Sequence, residues 1–320
     1  MMEERNCSQP DCYPDETGCQ CGETDLTKCK YYKQIETVSD TVELNADNLI
    51  RFPWTGSALG LHDLNYISAR SNLTIIGVVG TAGTGKTTFL ALLYCLLRHG
   101  KKIGNFSFVG SYTFTGWEDI AFNLSWKNEI PMIQFPPHTT SNSGRIPGLL
   151  HLALKDTNGV VHDIIFTDAP GEWFKEWSIN KNDEKTVGAN WIYENANSFL
   201  MFADCDKLSG TERGSTKSNI KQLLVRLKEN IKQKPVCLIW SKSDIDVNSS
   251  IKEEISKYFS NHFEDNSREF NVSVRQNDAS LQINVLNSID YLLNAIFSAT
   301  NVPLVLPIFK QDDLFLSKYK

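Results

Sequence analysis

Nowhere does this chain offer the ~20 consecutive apolar residues that a membrane-spanning helix needs; its longest apolar run, Phe89 to Leu97, falls far short. It also lacks a start of the secretory kind. The first residues are acidic, polar and cysteine-rich instead of basic and then apolar, so no signal peptide is expected and a cytoplasmic location is. An excess of positive charge is missing as well. The formal net charge is −6, and residues 1–40 carry nine Asp/Glu against four Lys/Arg, a balance of −5. A sequence-independent grip on nucleic acid is therefore disfavoured. What the chain does have, at 320 residues and 41% apolar content, is material for one large α/β domain with an appendage.

The first thirty residues have almost no apolar side chains but hold five of the eight cysteines, as Cys7-x₄-Cys12-x₆-Cys19-x-Cys21-x₇-Cys29. A segment that cannot build a core needs covalent or metal staples. A reducing compartment favours zinc over disulfides. A tetrahedral site of Cys7, Cys12, Cys29 and either Cys19 or Cys21 is expected, with Cys21 taken as the fourth ligand; a disordered acidic tail with redox-labile thiols, or disulfides in an exported protein, are the plain alternatives. Residues 1–34 are read as this module and 35–71 as a connector without clear hydrophobic period, anchored at Phe52-Pro53-Trp54. Residues 72–300 form the main domain and 301–320 an uninformative tail.

The informative stretch is Leu73 to Leu97. The apolar run Thr74 to Val79 leads into Gly80-Thr81-Ala82-Gly83-Thr84-Gly85-Lys86-Thr87 and then into an apolar, helix-like segment from Thr88. Strand, glycine-rich loop and helix in that order fill every fixed position of G-x-x-x-x-G-K-[ST]. Gly80, Gly83 and Gly85 allow successive N–H groups to point inward at a phosphate, with Thr84 and Thr88 at the rim, and the following helix adds its positive N-terminal end. Lys86 is expected to reach the terminal phosphates and the Thr87 hydroxyl to ligate Mg²⁺.

Downstream, Leu150, Leu152 and Leu154 alternate with His151, Ala153 and Lys155; Asn158-Gly159 supplies a turn and Val160 to Thr167 returns. The two histidines, His151 and His162, read as solvated side chains on polar strand positions, in preference to a metal pair. The return strand ends at Asp168-Ala169-Pro170-Gly171-Glu172. A carboxylate there can hold Mg²⁺, directly or through water, while the Gly171 N–H meets a γ-phosphate. Further strands are read at Phe106–Val109, Ser198–Ala203, Val236–Trp240 and Phe270–Val274, and helices at Trp117–Trp126, along Ile220-Leu223-Leu224-Leu227-Ile231, and along Leu286-Ile289-Leu293-Ile296. Pro131 to Pro147 reads as a long loop of the kind that is functional or disordered. Cys95, Cys205 and Cys237 sit in apolar runs and are expected in the core.

With Gly80 to Thr87, a threonine-bearing loop, Asp168-x-x-Gly171 and a strand leading into Ser241-Lys242-x-Asp244, the chain resembles the translation-factor class of GTPases. Within that class Gly110 to Phe114, the run 168–174 and Trp240 to Asp244 are similar to the bacterial double-GTPase group, whose members are encoded in predicted conflict systems. The resemblance implies a Ras-like fold, a mostly parallel six-stranded sheet with one antiparallel hairpin strand and helices on both faces. It implies GTP/GDP and Mg²⁺ as ligands, protein partners, and nucleotide switching by segments 105–147 and 171–190. Asp244 would accept from guanine N1–H and N2–H₂ together. Lys242 would lie along the base and brace the phosphate loop, and Ser273 would belong to a base-contacting loop. Thr140, or else Thr139, would sense the γ-phosphate and reach Mg²⁺.

Three departures bear on the chemistry. Ser241 replaces the Asn or Thr usual in the base motif. Glu172 stands where many relatives carry a water-orienting Gln, and Ala82 replaces a loop glycine close to the γ-phosphate. Slow GTP hydrolysis is expected, with Arg145 or Arg213 able to act as a finger in cis, surface placement being the plain alternative. A non-hydrolysing scaffold that recruits proteins, or an ATPase, are the rival readings.

Overall fold

The computed structural model describes residues 58–69, 71–122, 124, 147–229, 231, 234–275 and 279–300, together with 19, 22, 25 and 28–31. The chain divides into two units at residue 51. In the first, the Gly22 N–H donates to the Cys19 carbonyl at 2.9 Å. Cys7, Cys12 and Cys21 lie outside the described residues, as do Thr139, Thr140, Arg145 and the rest of the loop to residue 146.

The second unit is built on strands β1 (Leu73–Val79), β2 (Ser107–Gly110), β3 (Gly148–Lys155), β4 (Val161–Asp168), β5 (Ser198–Asp204), β6 (Val236–Ser241) and β7 (Ser267–Val272). They form one sheet in the order β2-β3-β4-β1-β5-β6-β7. Every pair from β4 to β7 is parallel, whereas β3 runs antiparallel to both its neighbours. The sheet thus has seven strands where six were expected. The reason lies in β3: Leu149 to Leu154 are all buried. A strand that apolar cannot stand at the edge with its polar backbone open. The short β2 covers it, with a register irregularity between Phe108 and Gly110.

Apolar side chains alternate between two layers. From β1, Ile75 and Val79 face one cluster, and Ile76 and Val78 the other. The first cluster holds helices α1 (Asp63–Ser68), α4 (Gly171–Ile179), α5 (Val187–Asn195), α6 (Cys205–Ser209), α7 (Arg213–Lys228) and α8 (Ser249–Phe263). The second holds α2 (Lys86–Arg98), α3 (Phe114–Ala121) and α9 (Ala279–Thr300). The spaced apolar positions of α7 are buried, as are Leu286, Ile289 and Leu293 of α9. The third helix begins and ends earlier than its apolar spacing predicts. Trp117 is fully buried, donating from its indole to the His151 carbonyl at 2.8 Å, while Phe122 lies past the helix end, 56% exposed. Cys205 and Cys237 are core residues, and Cys95 is half-buried. Burial pushes the Cys205 thiol up to about 12, so it is inert.

His151 is a correction. It is 1% exposed, not solvated, because β3 is an interior strand with helices on both sides. Its Nδ1 accepts the Tyr112 backbone N–H at 3.0 Å and its Nε2 bonds Asp163 Oδ1 at 2.9 Å. The Asp163 carboxylate, buried as deeply, also accepts from the Ser71 hydroxyl. Since Nδ1 is an acceptor, the ring proton sits on Nε2 and the ring is the neutral donor to Asp163. His162 lies across from Leu154, three positions along and on the opposite face, bonded to Asp156 at 3.1 Å. The histidines therefore form no metal pair.

Replacing His151 with Ala strands a buried carboxylate and the Tyr112 amide. The expected loss of stability is about 3 kcal/mol in urea unfolding. Lys217→Ala, which cuts an exposed bridge to Glu254 at 2.9 Å, should cost below about 1 kcal/mol in the same assay.

Candidate functional site

Five parallel strands end on the same side of the sheet, and the loops that follow them converge there, as expected for a ligand crevice at the carboxyl ends of strands. The loop after β1 curls back because Gly83 and Gly85 take positive φ values of 74° and 83°. Gly85 is the residue immediately preceding α2, so the first amides of that helix face the hollow of the loop. The Thr84 hydroxyl closes the curl by donating to the Thr81 carbonyl at 2.9 Å. Lys86 lies across it, its Nζ donating to the Gly80 and Thr81 carbonyls at 2.9 and 3.1 Å. The lysine is 7% exposed. Burial lowers its ammonium to about 8, against the pull of the Asp168 and Glu172 carboxylates and with help from Lys207. A buried cation of this kind gains from an incoming anion.

The loop after β4 approaches the first from the other side. Asp168 Oδ1 accepts from the Thr87 hydroxyl at 3.2 Å. A hydroxyl and a carboxylate held side by side are the hard oxygen donors that suit Mg²⁺. Gly171 opens α4, and a β-carbon on it would stand 2.2 Å from the Ala82 nitrogen. No side chain fits there, so the α4 amides come as close to the phosphate loop as backbone allows.

A cavity of about 280 Å³ runs from these loops toward the end of β6. Gly83 to Thr88, Gly171, Glu172, Lys242, Asp244 and Ser273 all line it. Gly80 and Asp168 lie just beneath, through their bonds to Lys86 and Thr87. At the far end the Ser273 hydroxyl donates to Asp244 Oδ1 at 2.6 Å and accepts from the Arg275 N–H at 3.2 Å. Ser273, 1% exposed, therefore fixes the direction in which the carboxylate faces the cavity. Ser241 donates to the Ala203 carbonyl at 3.2 Å, tying β6 to β5, and its β-carbon lies beside Gly85 of the phosphate loop.

The structure alters the role expected of Lys242. It sits at φ 55°, a left-handed conformation uncommon for a residue with a side chain. Its Nζ pairs with Asp204 at 2.8 Å and Asp206 at 3.6 Å. The phosphate loop is braced instead by Lys207, whose Nζ donates to the Ala82 carbonyl at 2.7 Å. Asp204 connects the two lysines: fully buried at the end of β5, it receives Lys242 on one oxygen and caps the Asp206 and Lys207 amides with the other. Only a carboxylate ending a buried strand hinted at this chain of contacts.

The second arginine considered as a finger, Arg213, is an exposed residue at the start of α7. Among the described residues no group of three or more His, Cys, Asp or Glu is arranged to hold a metal ion, and none of their helices is long and apolar enough to cross a membrane.

A parallel sheet with a phosphate-type loop after its first strand, an Asp-x-x-Gly turn after the strand beside it, and a carboxylate at the far end of the same cavity is a P-loop nucleotide-binding domain of the GTPase kind. The particular family follows from comparison: the Double-GTPase 2 family model matches residues 74–296, and the chain belongs to that family. No curated protein matches it.

Gly171→Ala should push the α4 amides away from Ala82 and so weaken contact with a third phosphate while sparing the first two. A hydrolysis-resistant GTP analogue should lose roughly 10- to 150-fold in affinity, the value of a charge-assisted hydrogen bond, with GDP little changed. Parallel titrations of the two nucleotides check it.

Proposed function

We propose that the chain is a Mg²⁺-dependent GTP-binding switch that hydrolyses GTP slowly to GDP. One observation carries this reading: loop, Thr87–Asp168 pair, Gly171 and Asp244 line or border one continuous cavity. Membership of a double-GTPase family supports it. The α2 amides and Lys86 would hold the phosphates, and Thr87 and Asp168 would hold the metal, which when bound offsets charge on the β- and γ-phosphates. Gly171 would report the γ-phosphate to α4. Asp244, aligned by Ser273, would accept from guanine N1–H and N2–H₂, a donor pair that adenine does not present.

Thr140 completes this reading as the loop threonine that reaches the metal, and segments 105–147 and 171–190 as the parts that respond to the γ-phosphate. The exposed Glu172 at the cavity wall would orient water less well than an amide, because its charge opposes the γ-phosphate, and slow turnover follows. Glu172 also favours the second reading, a scaffold that binds GTP and recruits proteins without turnover. Phosphate release from the purified chain separates the two. Location in the cytoplasm, a role in a bacterial conflict system and a Cys7-Cys12-Cys21-Cys29 zinc site belong to the same reading; about one Zn²⁺ per chain by elemental analysis is the outcome expected for the last.

Asp244→Asn puts an amide donor against a guanine donor. The mismatch should cost on the order of 1–3 kcal/mol for GTP and improve binding of xanthosine triphosphate, whose 2-oxo group accepts. Titrating wild type and variant with GTP, ATP and xanthosine triphosphate tests it. Equal binding of ATP and GTP by the wild type, or unchanged GTP affinity in the variant, removes Asp244 as base reader and leaves a P-loop nucleotide-binding protein of unspecified base.

A further inference from the structure

We propose that Lys207 is the cation that stabilises the transition state of GTP hydrolysis, supplied from within the chain in place of an external arginine. This rests on the reading of the cavity as a GTP hydrolysis site. The argument starts at Ala82, where two elements meet: the backbone of Gly171 lies against its amide side, and the Lys207 ammonium sits 2.7 Å from its carbonyl oxygen. The contact to Gly171 marks Ala82 as the part of the loop nearest the terminal phosphate, so a charge fixed on Ala82 is a charge beside the reacting group.

The lysine is held for that task. It stands on α6, a single short helix between β5 and α7, whose Cys205 and Leu208 are each 1% exposed and anchor it in the core. The Asp204 carboxylate caps its backbone amide, and the same carboxylate is tied to Lys242 in the wall of the cavity. Among the described residues no carboxylate pairs with Lys207. An ammonium has three donors, and the Ala82 carbonyl takes one, leaving two for phosphate oxygens. Half-buried, with a flexible four-carbon stem, it can turn to them without moving the helix.

In the step itself the oxygen of water bonds to the γ-phosphorus as the bond from that phosphorus to the β–γ bridging oxygen breaks. The electron pair goes to the bridging oxygen, which stays on GDP, and both hydrogens of the water leave with the phosphate as dihydrogen phosphate, which then equilibrates with solvent. Lys207 keeps its own proton and donates a hydrogen bond where negative charge grows, on the bridging oxygen.

The test uses the full chain with Lys207→Ala and Lys207→Arg, GDP affinity and thermal unfolding being measured first. Single-turnover hydrolysis at saturating GTP and Mg²⁺ should fall about 100-fold or more in Lys207→Ala. Lys207→Arg should recover part of the rate. A readout that a purely structural brace would not move is capture of aluminium fluoride by the GDP·Mg²⁺ complex, a mimic of the transition state. Wild type should capture it without any added protein and Lys207→Ala should not, at unchanged GDP affinity. Equal hydrolysis rates and equal capture in wild type and Lys207→Ala overturn the assignment of Lys207 alone. Loss of GDP affinity together with rate makes Lys207 a structural brace and overturns it too. A wild-type chain that binds GTP but neither hydrolyses it nor captures fluoride overturns the hydrolysis reading along with it.

Discussion

Backbone against backbone, the approach of Gly171 to Ala82 is the constraint on which the rest of the site depends. A β-carbon at position 171 would come within 2.2 to 2.5 Å of three atoms of the Thr81–Ala82 backbone. That distance sets where the first amides of α4 stand relative to the first amides of α2. Two helix N-termini aimed at one point concentrate partial positive charge without a single mobile side chain. The lysines then add full charges at fixed places, Lys86 across the loop and Lys207 at its rim. Burial, more than the neighbouring Lys207, holds Lys86 nearer neutrality, and an anion entering the cavity favours its charged form.

The sheet explains why these parts meet. Strands β4, β1, β5 and β6 are neighbours and parallel, so the ends at Asp168, Gly80, Asp204 and Ser241 lie in a row. Asp204 sits in the middle of that row and is the link between its halves. It is buried, carries charge, and is matched by Lys242 and by two amides. Removing any one of these partners would leave charge in a dry place, so the base end and the phosphate end are tied by a term that penalises separation. The left-handed backbone of Lys242 is consistent with that tie, since strain of this kind persists only where surrounding contacts hold it.

What was legible in the sequence is what local chemistry dictates. Gly83 and Gly85 must be glycines wherever they occur in a loop of this shape, and Asp168-x-x-Gly171 carries its own geometry over four residues. The burial of Ile220, Leu223, Leu224 and Leu227 follows from spacing alone. Apart from the bounds of the third helix, the misreadings concern neighbours distant in sequence. His151 occupies an alternating, polar-looking position, but β2, β4 and the 111–113 turn close over it and supply Thr113, Tyr112 and Asp163 as partners. The count of strands in the sheet failed for the same reason: a short strand was read at Phe106–Val109, but its place as a seventh strand covering β3 depends on that distant pairing. The brace on the phosphate loop was assigned to Lys242 from its motif, yet which lysine reaches a carbonyl depends on where Asp204 draws each of them. No spacing rule encodes that competition.

A switch needs contacts that differ between its two ligands, and GTP differs from GDP by one phosphate. In the proposed function the described groups placed to feel that difference are Lys86, Glu172 and the α4 amides in the cavity, with Lys207 beside the loop at Ala82. Only α4 leads onward. Its Trp173, Phe174 and Trp177 are buried in the first core cluster, and the Trp177 indole donates to Asn190 of α5 at 2.7 Å. The Arg226 guanidinium of α7 reaches the Ser178 carbonyl at 3.2 Å. A shift at Gly171 therefore cannot be absorbed by a loose loop; it must move a helix with three buried aromatic side chains or be resisted by them. Close-packed aromatic contacts favour discrete arrangements over gradual ones. In the proposed function, then, the energy of γ-phosphate binding is read out on the face of the sheet that carries α4, α5 and α7, and a partner protein that distinguishes the two nucleotides would find the difference there.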